Sequence, residues 1–271
     1  MRHPRIFKAG VAAVLVLLLS ACAPMTITGG ADVDKTAFGA KKRFAVVSIA
    51  SMKDFYGEKG LTQMFKSTDE IPGANTQPLI DNLAPQIVST LDKSGNFVLV
   101  PEQKVLSSKA YRNVTEDEKV AKVLFMTKDL NVAHNYKYIS DPQKYAALAR
   151  ALDVDGVIGI TMNFSLTAGK NHINVAGLSL GKKKYSVMAA STAMAYDREG
   201  NVIWKDSTVK MAEPGDSKAI ILIDTTDLTA TNFEKLHPSA ITIGGKAVEV
   251  LLTRFDDTIA GNKVSGIQFM K

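Results

Sequence analysis

Gly177-Leu178-Ser179-Leu180-Gly181 fits the pattern G-x-S-x-G, and Asp206 or Asp224 and then His237 follow it in the order Ser, Asp, His. Residues of those types could perform acyl transfer: the serine attacks a carbonyl, the histidine takes its proton and the carboxylate orients the ring. The nucleophile elbow requires a strand before the serine and a helix directly after it. Here Lys182, Lys183, Lys184 and an alternating strand pattern follow, so Ser179 reads as part of a glycine-rich turn, and no catalytic residue is assigned. The four histidines, His3, His134, His172 and His237, are widely spaced, and no pair has metal-ligand spacing such as H-E-x-x-H. Neither G-x-x-x-x-G-K-[ST] nor G-x-G-x-x-G occurs, so no phosphate cradle is expected either. The expectation is a chain without metal, cofactor or enzymatic activity.

Cys22 is the one residue with chemistry of its own, and the only cysteine in 271 residues. Before it stand Arg2, Arg5 and Lys8, an apolar run over 9–19, then Ser20 and Ala21. A positive n-region, an apolar h-region and a small-residue cleavage zone make a secretion signal. A helix over 9–21 would be about 20 Å long at roughly 1.5 Å per residue, short of the ~30 Å hydrocarbon core. Pro24 fits poorly beside an ordinary cut after Ala23. Leu19-Ser20-Ala21-Cys22 resembles the lipobox of bacterial lipoproteins, which implies cleavage between Ala21 and Cys22. The same resemblance implies a diacylglyceryl thioether on Cys22 and an acylated amino terminus carrying chains such as palmitate. Several acyl chains, at roughly 0.8 kcal/mol per buried CH2, hold a protein on its membrane where one would not. Ala23 follows the cysteine in place of the Asp that retains enteric lipoproteins at the inner membrane, so the resemblance favours the periplasmic face of the outer membrane, with the inner membrane as the alternative.

With Cys22 acylated, no internal disulfide and no free thiol remain. Of 33 basic residues three leave with the signal, so 30 face 27 acidic ones and the net charge falls from +6 to +3. The clusters Lys41-Lys42-Arg43 and Lys182-Lys183-Lys184 then read as solvated turns, and nucleic acid is not an expected partner. The chain divides into a signal over 1–21, a lipidated tether over 22–40 rich in Gly, Ala, Thr and Asp, and a single domain over 41–271.

Within that domain the elements that must position any site read as follows. A β-branched run over 43–50 is a strand buried on both faces. A long connection over 51–75, with Phe55, Tyr56 and Phe65 among Gly and Lys, is the candidate interaction loop. Leu79, Ile80, Leu83, Ile87, Val88 and Leu91 repeat at helical spacing over 76–94, and a second buried strand over 96–100 closes a parallel β-α-β unit. Helices are expected over 102–111 and 116–130, and another capped by Ser140 or Asp141 with Pro142 in its first turn. A strand over 157–164 follows, then an antiparallel hairpin of 185–197 and 202–211 turning at Arg198-Glu199-Gly200-Asn201. Residues 173–180 read as a further strand or hairpin arm, and an apolar run at 219–223 precedes the last helix. That helix is expected over 238–260, and since Gly244 and Gly245 weaken it near its start, a beginning after them is the alternative. The fold class is α/β with an α+β tendency: a mixed sheet with a parallel start, an antiparallel hairpin and a C-terminal helix.

Two local signatures carry a resemblance. Ala149-Arg150-Ala151-Leu152-Asp153-Val154-Asp155-Gly156-Val157-Ile158 runs a helix into a strand through an acidic turn, and Ala195-Tyr196-Asp197-Arg198-Glu199-Gly200-Asn201-Val202-Ile203-Trp204 is a hairpin whose second strand opens on Trp. With the element order, these resemble the periplasmic domains of the curli-secretion lipoprotein CsgG, the penicillin-binding-protein activator LpoB and the N-terminal domain of TolB. The resemblance spans about 43–260 and implies a domain that works by protein contact, with an envelope protein as partner. A CsgG-like channel would need long alternating hairpins of roughly 9 to 11 residues per strand, and 163–180 alternates only in patches. A small-ligand or glycan carrier with a pocket under the 51–75 loop is the alternative from another class.

Overall fold

The computed structural model describes residues 31–57, 71–123, 126–168, 182–213, 215–224, 231–262 and 264. Among the described residues ten strands form one sheet: β1 (Asp32–Val33), β2 (Arg43–Met52), β3 (Tyr56–Gly57), β4 (Val98–Leu99), β5 (Val120–Val123), β6 (Met126–Val132), β7 (Gly156–Ala168), β8 (Lys182–Asp197), β9 (Val202–Met211) and β10 (Ile220–Asp224). Their order is β1-β9-β8-β7-β2-β6-β5, with β10 added to β8, β3 to β7 and β4 to β2. The sheet is mixed: β2 runs parallel to β4 and β7 and antiparallel to β6, while β7, β8 and β9 form an antiparallel meander. The α/β class, the parallel start, the hairpin at 198–201 and the C-terminal helix all stand as the residues predict.

The local reasons are visible. Phe44 through Ser51 are buried without interruption, as a central strand covered on both faces requires. One face carries α1 (Gln77–Leu91) and the long α5 (His237–Ala260); the other carries α2 (Glu102–Ser107), α3 (Lys109–Asn113) and α4 (Pro142–Ala151). Asp141 caps α4 by accepting from the Gln143 amide, with Pro142 at the first turn. At one end of the sheet Phe38, Phe44, Phe97, Phe255 and Trp204 form a continuous aromatic cluster, with Phe38 stacked on Phe44 at 4.9 Å and Trp204 tilted against Phe255 at 4.6 Å.

Three expectations are corrected. Residues 116–130 are not a helix: β5 and β6 form a hairpin, and β6 continues onto β2 through Ala50↔Val132 and Met52↔Leu130. The β-branched Val120, Val123, Thr127 and Val132 suit a strand, and the far end of β2 offers an edge that needs a partner. The tether does not reach residue 40: β1 pairs with β9 and Phe38 is buried in the aromatic cluster, so the folded domain starts by Asp32. Finally, α5 runs through Gly244 and Gly245 instead of starting after them. A Cβ on Gly244 would stand 2.8 Å from Leu83 Cδ1 and 3.3 Å from Phe164 Cε1, so the glycine lets α5 close on α1 and the sheet. Close approach outweighs its weak helix propensity.

Candidate interaction surface

One end of the sheet collects the loop stems. The ladder of β7 and β8 runs up to Ala168↔Tyr185, β10 continues it on β8 as far as Asp224↔Lys182, and β3 joins β7 at Ser165 and Leu166. The Phe233 amide donates to the Pro72 carbonyl at 2.8 Å, bringing the return of the first loop beside the return of the last. Gly57 and Ile71, Ala168 and Lys182, and Asp224 and Thr231 therefore bound three chain segments at the same end, distant from the hairpin turn at Gly200.

The first stem is held by a buried polar knot. Thr76 Oγ1 donates to the Met52 carbonyl and lies 2.8 Å from Ser51 Oγ, while Asn131 Nδ2 donates to Thr76 Oγ1 at 3.1 Å and to Asn75 Oδ1 at 2.8 Å. The Thr76 amide closes the loop by donating to the Lys53 carbonyl at 2.8 Å, and the Phe55 amide donates to the Ala74 carbonyl. Gly73 adopts φ 73°, and a Cβ there would lie 2.2 Å from the Glu234 nitrogen. His237 Nε2 is 2.8 Å from the Gly73 carbonyl, which can only accept, so the proton sits on Nε2. A stem fixed at this many points presents its loop from a rigid base.

The interaction-loop residues fall differently from expectation. Phe55 is 3% exposed and packs against Phe164, Phe233 and His237 at ring distances of 6.1, 5.6 and 6.3 Å. It is a core residue, because three rings and the start of α5 need a filler between loop and sheet, and it offers no contact to a partner. The backbone of Tyr56 pairs with β7. Phe65 lies outside the described residues, as do Ala21, Cys22, Ser179 and His172. The volume beneath the loop stem is occupied by Phe55, Ile71, Phe164 and Phe233, where a carrier would place its ligand.

What this end exposes is Leu222, 62% exposed on β10, and Lys184 opposite it on β8. On the sheet face that α4 covers lower down, the Tyr145–Tyr196 stack at 4.5 Å marks the limit of cover. Beyond it Thr161, Asn163, Met188, Thr192, Ser207 and Val209 are half-exposed, with Thr192 and Ser207 hydroxyls 2.8 Å apart. Small hydroxyls with scattered methionine form a surface suited to protein contact.

Of the remaining residues of the triad pattern, Asp206 and His237 are committed elsewhere. Asp206, buried on the α5 side of β9, accepts from Arg254 Nε at 2.8 Å and Nη2 at 3.0 Å. Trp204 and Tyr196 of the hairpin signature are both core residues. Asp117 holds the start of α4: burial pushes its carboxyl up, but the Lys144 ammonium and the Ser140 and Asp141 amides more than offset this and bring it down to about 2. The Tyr111, Tyr136 and Tyr145 hydroxyls are pushed well up by burial, and Tyr111 Oη donates to the Val47 carbonyl. Among the described residues no group of three or more His, Cys, Asp or Glu is gathered for a metal ion, and no helix is long and apolar enough to cross a membrane. The buried Asp206–Arg254 pair was not foreseen; the alternation of β9 hints at it, since Asp206 falls in phase with Trp204. Compared with models of known protein families and with curated proteins, the chain matches none.

Proposed function

We propose that this chain is a membrane-anchored envelope lipoprotein that acts without catalysis, recruiting or regulating an envelope protein held at the same membrane. The observation that carries the reading is the convergence of three pairs of loop stems on one end of a rigid sheet, with Leu222 and Lys184 exposed between them. Binding residues are typically presented this way, on connections held by a scaffold. The lipobox-like Leu19-Ser20-Ala21-Cys22 supports the anchor, and the CsgG/LpoB/TolB-like order of elements supports protein contact as the mode of action.

A photo-crosslinking residue at Leu222 in intact cells tests this, with Val98 and Val202, exposed at the opposite end, as controls. The expected result is one envelope protein captured at 222 and absent at 98 and 202. An empty lane at 222, or the same bands from all three positions, would remove the basis of the reading.

A further inference from the structure

The two faces of the sheet are covered unequally. On one, α5 has 24 residues and runs about 36 Å at roughly 1.5 Å per residue. On the other, α4 has 10 residues and reaches about 15 Å, while β7, with 13 residues, extends about 44 Å. Cover ends where Tyr145 stacks on Tyr196 and the Tyr196 hydroxyl meets Met194 Sδ at 3.8 Å. Beyond that line, among the described residues, no helix lies against this side of β7, β8 and β9.

The bare part has a composition of its own. Between Thr161 and Thr167 on β7, Ser186 and Met194 on β8, and Ser207 and Met211 on β9, every side chain that alternation puts on this side is uncharged. Of the five methionines whose side chains are described, four stand here half-exposed. Met188 and Met211 face each other across β8 and β9, and Met194 marks the lower border. Met52 follows Ser51, whose hydroxyl meets Thr76 on the α1 side, so Met52 falls on the bare side. The fifth, Met162, is buried beneath Gly244 of α5. Unbranched thioether chains adapt to an apolar partner, and depletion of charge marks the centre of a contact surface. The same face continues onto β10: Ile221 and Ile223 are buried on the α5 side, so Leu222, opposite the exposed Lys184, stands on the bare one.

We propose that this face seats one amphipathic helix of a partner protein, laid along β8 from Thr192 to Leu222; the inference rests on the reading that the chain acts by protein contact. Dimensions choose a helix. Thr192 and Lys184, the partner of Leu222, are eight residues apart on β8, about 27 Å, which a helix of about 18 residues spans. The width from β2 to β9 is about 14 Å at roughly 4.8 Å per strand, room for one helix of 10–12 Å diameter. The seated helix completes the layer that α4 begins, as α5 does on the opposite face. Its apolar stripe meets the methionines and Leu222, and an acidic residue near one end meets Lys184.

Photo-crosslinking residues at Thr192 and at Leu222 of the full chain in intact cells, with the captured peptides sequenced, test this. The two positions are expected to capture one continuous segment of one other protein, at sites about 18 residues apart, with apolar residues at helical spacing between them. Sites about 8 residues apart would mean an extended segment and overturn the helix. Peptides of this chain itself would also overturn it, assigning the face to a second copy. Capture at 222 with none at 192 keeps the proposed function and removes the helix; an empty lane at 222 removes both. Thr192→Arg sets a charge into the neutral patch and is expected to reduce capture at 222 at least about tenfold, whereas Val202→Arg at the opposite end leaves it unchanged. Equal effects of the two substitutions would count against the seat.

Discussion

Asp206 lies on the helix-facing side of β9 and is 3% exposed, and its two oxygens meet Arg254 Nε and Nη2. Neutralising it in Asp206→Asn takes a counter-charge away from the buried guanidinium, which costs up to roughly 3–5 kcal/mol where one partner of a buried pair is removed. Urea denaturation should show the midpoint fall accordingly, whereas Asp153→Asn, whose pairing with Arg198 is at the surface, should shift it by less than about 1 kcal/mol. Equal effects would mean that Asp206 is not a committed structural charge. The period-2 pattern of β9 makes an inward carboxylate legible in the sequence, but its partner comes 48 residues later on another element, and spacing cannot reveal that distance. Asp117 gives the pH counterpart. Its folded carboxyl titrates at about 2 and its ordinary value is 3.8, so its contribution is fully present above about pH 4 and is lost as pH falls toward 2. With solvent screening allowed for, that loss is on the order of 1 kcal/mol, and it should vanish from the acid-stability curve of Asp117→Asn.

Elements obey the residues where one cause dominates and depart from them where two compete. The strand over 43–50, α4 with its Asp141 cap and the hairpin at Gly200 each follow from a local pattern that nothing tertiary opposes. Residues 116–130 carry charges that suit a helix and β-branched residues that suit a strand, and the unpaired end of β2 decides for the strand. Phe55 is legible as apolar but not as buried, because the ring cage around it is built from β7, the turn before α5 and α5 itself. The glycine pair in α5 separates propensity from packing in one experiment. Gly245→Ala meets only Gln86 Oε1 at 3.2 Å, the end of an exposed, flexible side chain, and is expected to raise stability by up to about 1 kcal/mol. Gly244→Ala forces Leu83 and Phe164, both fully buried, to move and is expected to lower it by about 1–3 kcal/mol. Thermal unfolding that ranks the two variants alike would show that α5 is not pressed against α1 at Gly244.

At the scale of the whole molecule, the sheet gives the protein two chemically different ends. The aromatic cluster and the Gly200 turn close one; the three pairs of loop stems, Leu222 and the lysines of β8 make the other. The parallel start and the antiparallel hairpin were legible because crossovers and hairpins leave different connection lengths, but which end would meet a membrane on the lipoprotein reading proposed above was not, since Cys22 reads as the start of a tether of unspecified direction. Val98, paired with the start of β2, and Leu222, paired with the start of β8, are separated by about 48 Å along the strands at roughly 3.4 Å per residue. Nitroxide-bearing lipids quench over much shorter distances than that. With the acylated protein in vesicles, a fluorophore at Leu222→Cys is expected to be quenched strongly and one at Val98→Cys scarcely. The reverse order would place the aromatic end on the bilayer; equal quenching would mean that the tether leaves the domain free to tumble. A basic residue sharpens the prediction, because Lys184, exposed at the loop end, would be attracted to anionic headgroups by about 1 kcal/mol near the surface. Quenching at Leu222 should accordingly rise with anionic lipid content and fall with added salt, while the Val98 signal responds to neither.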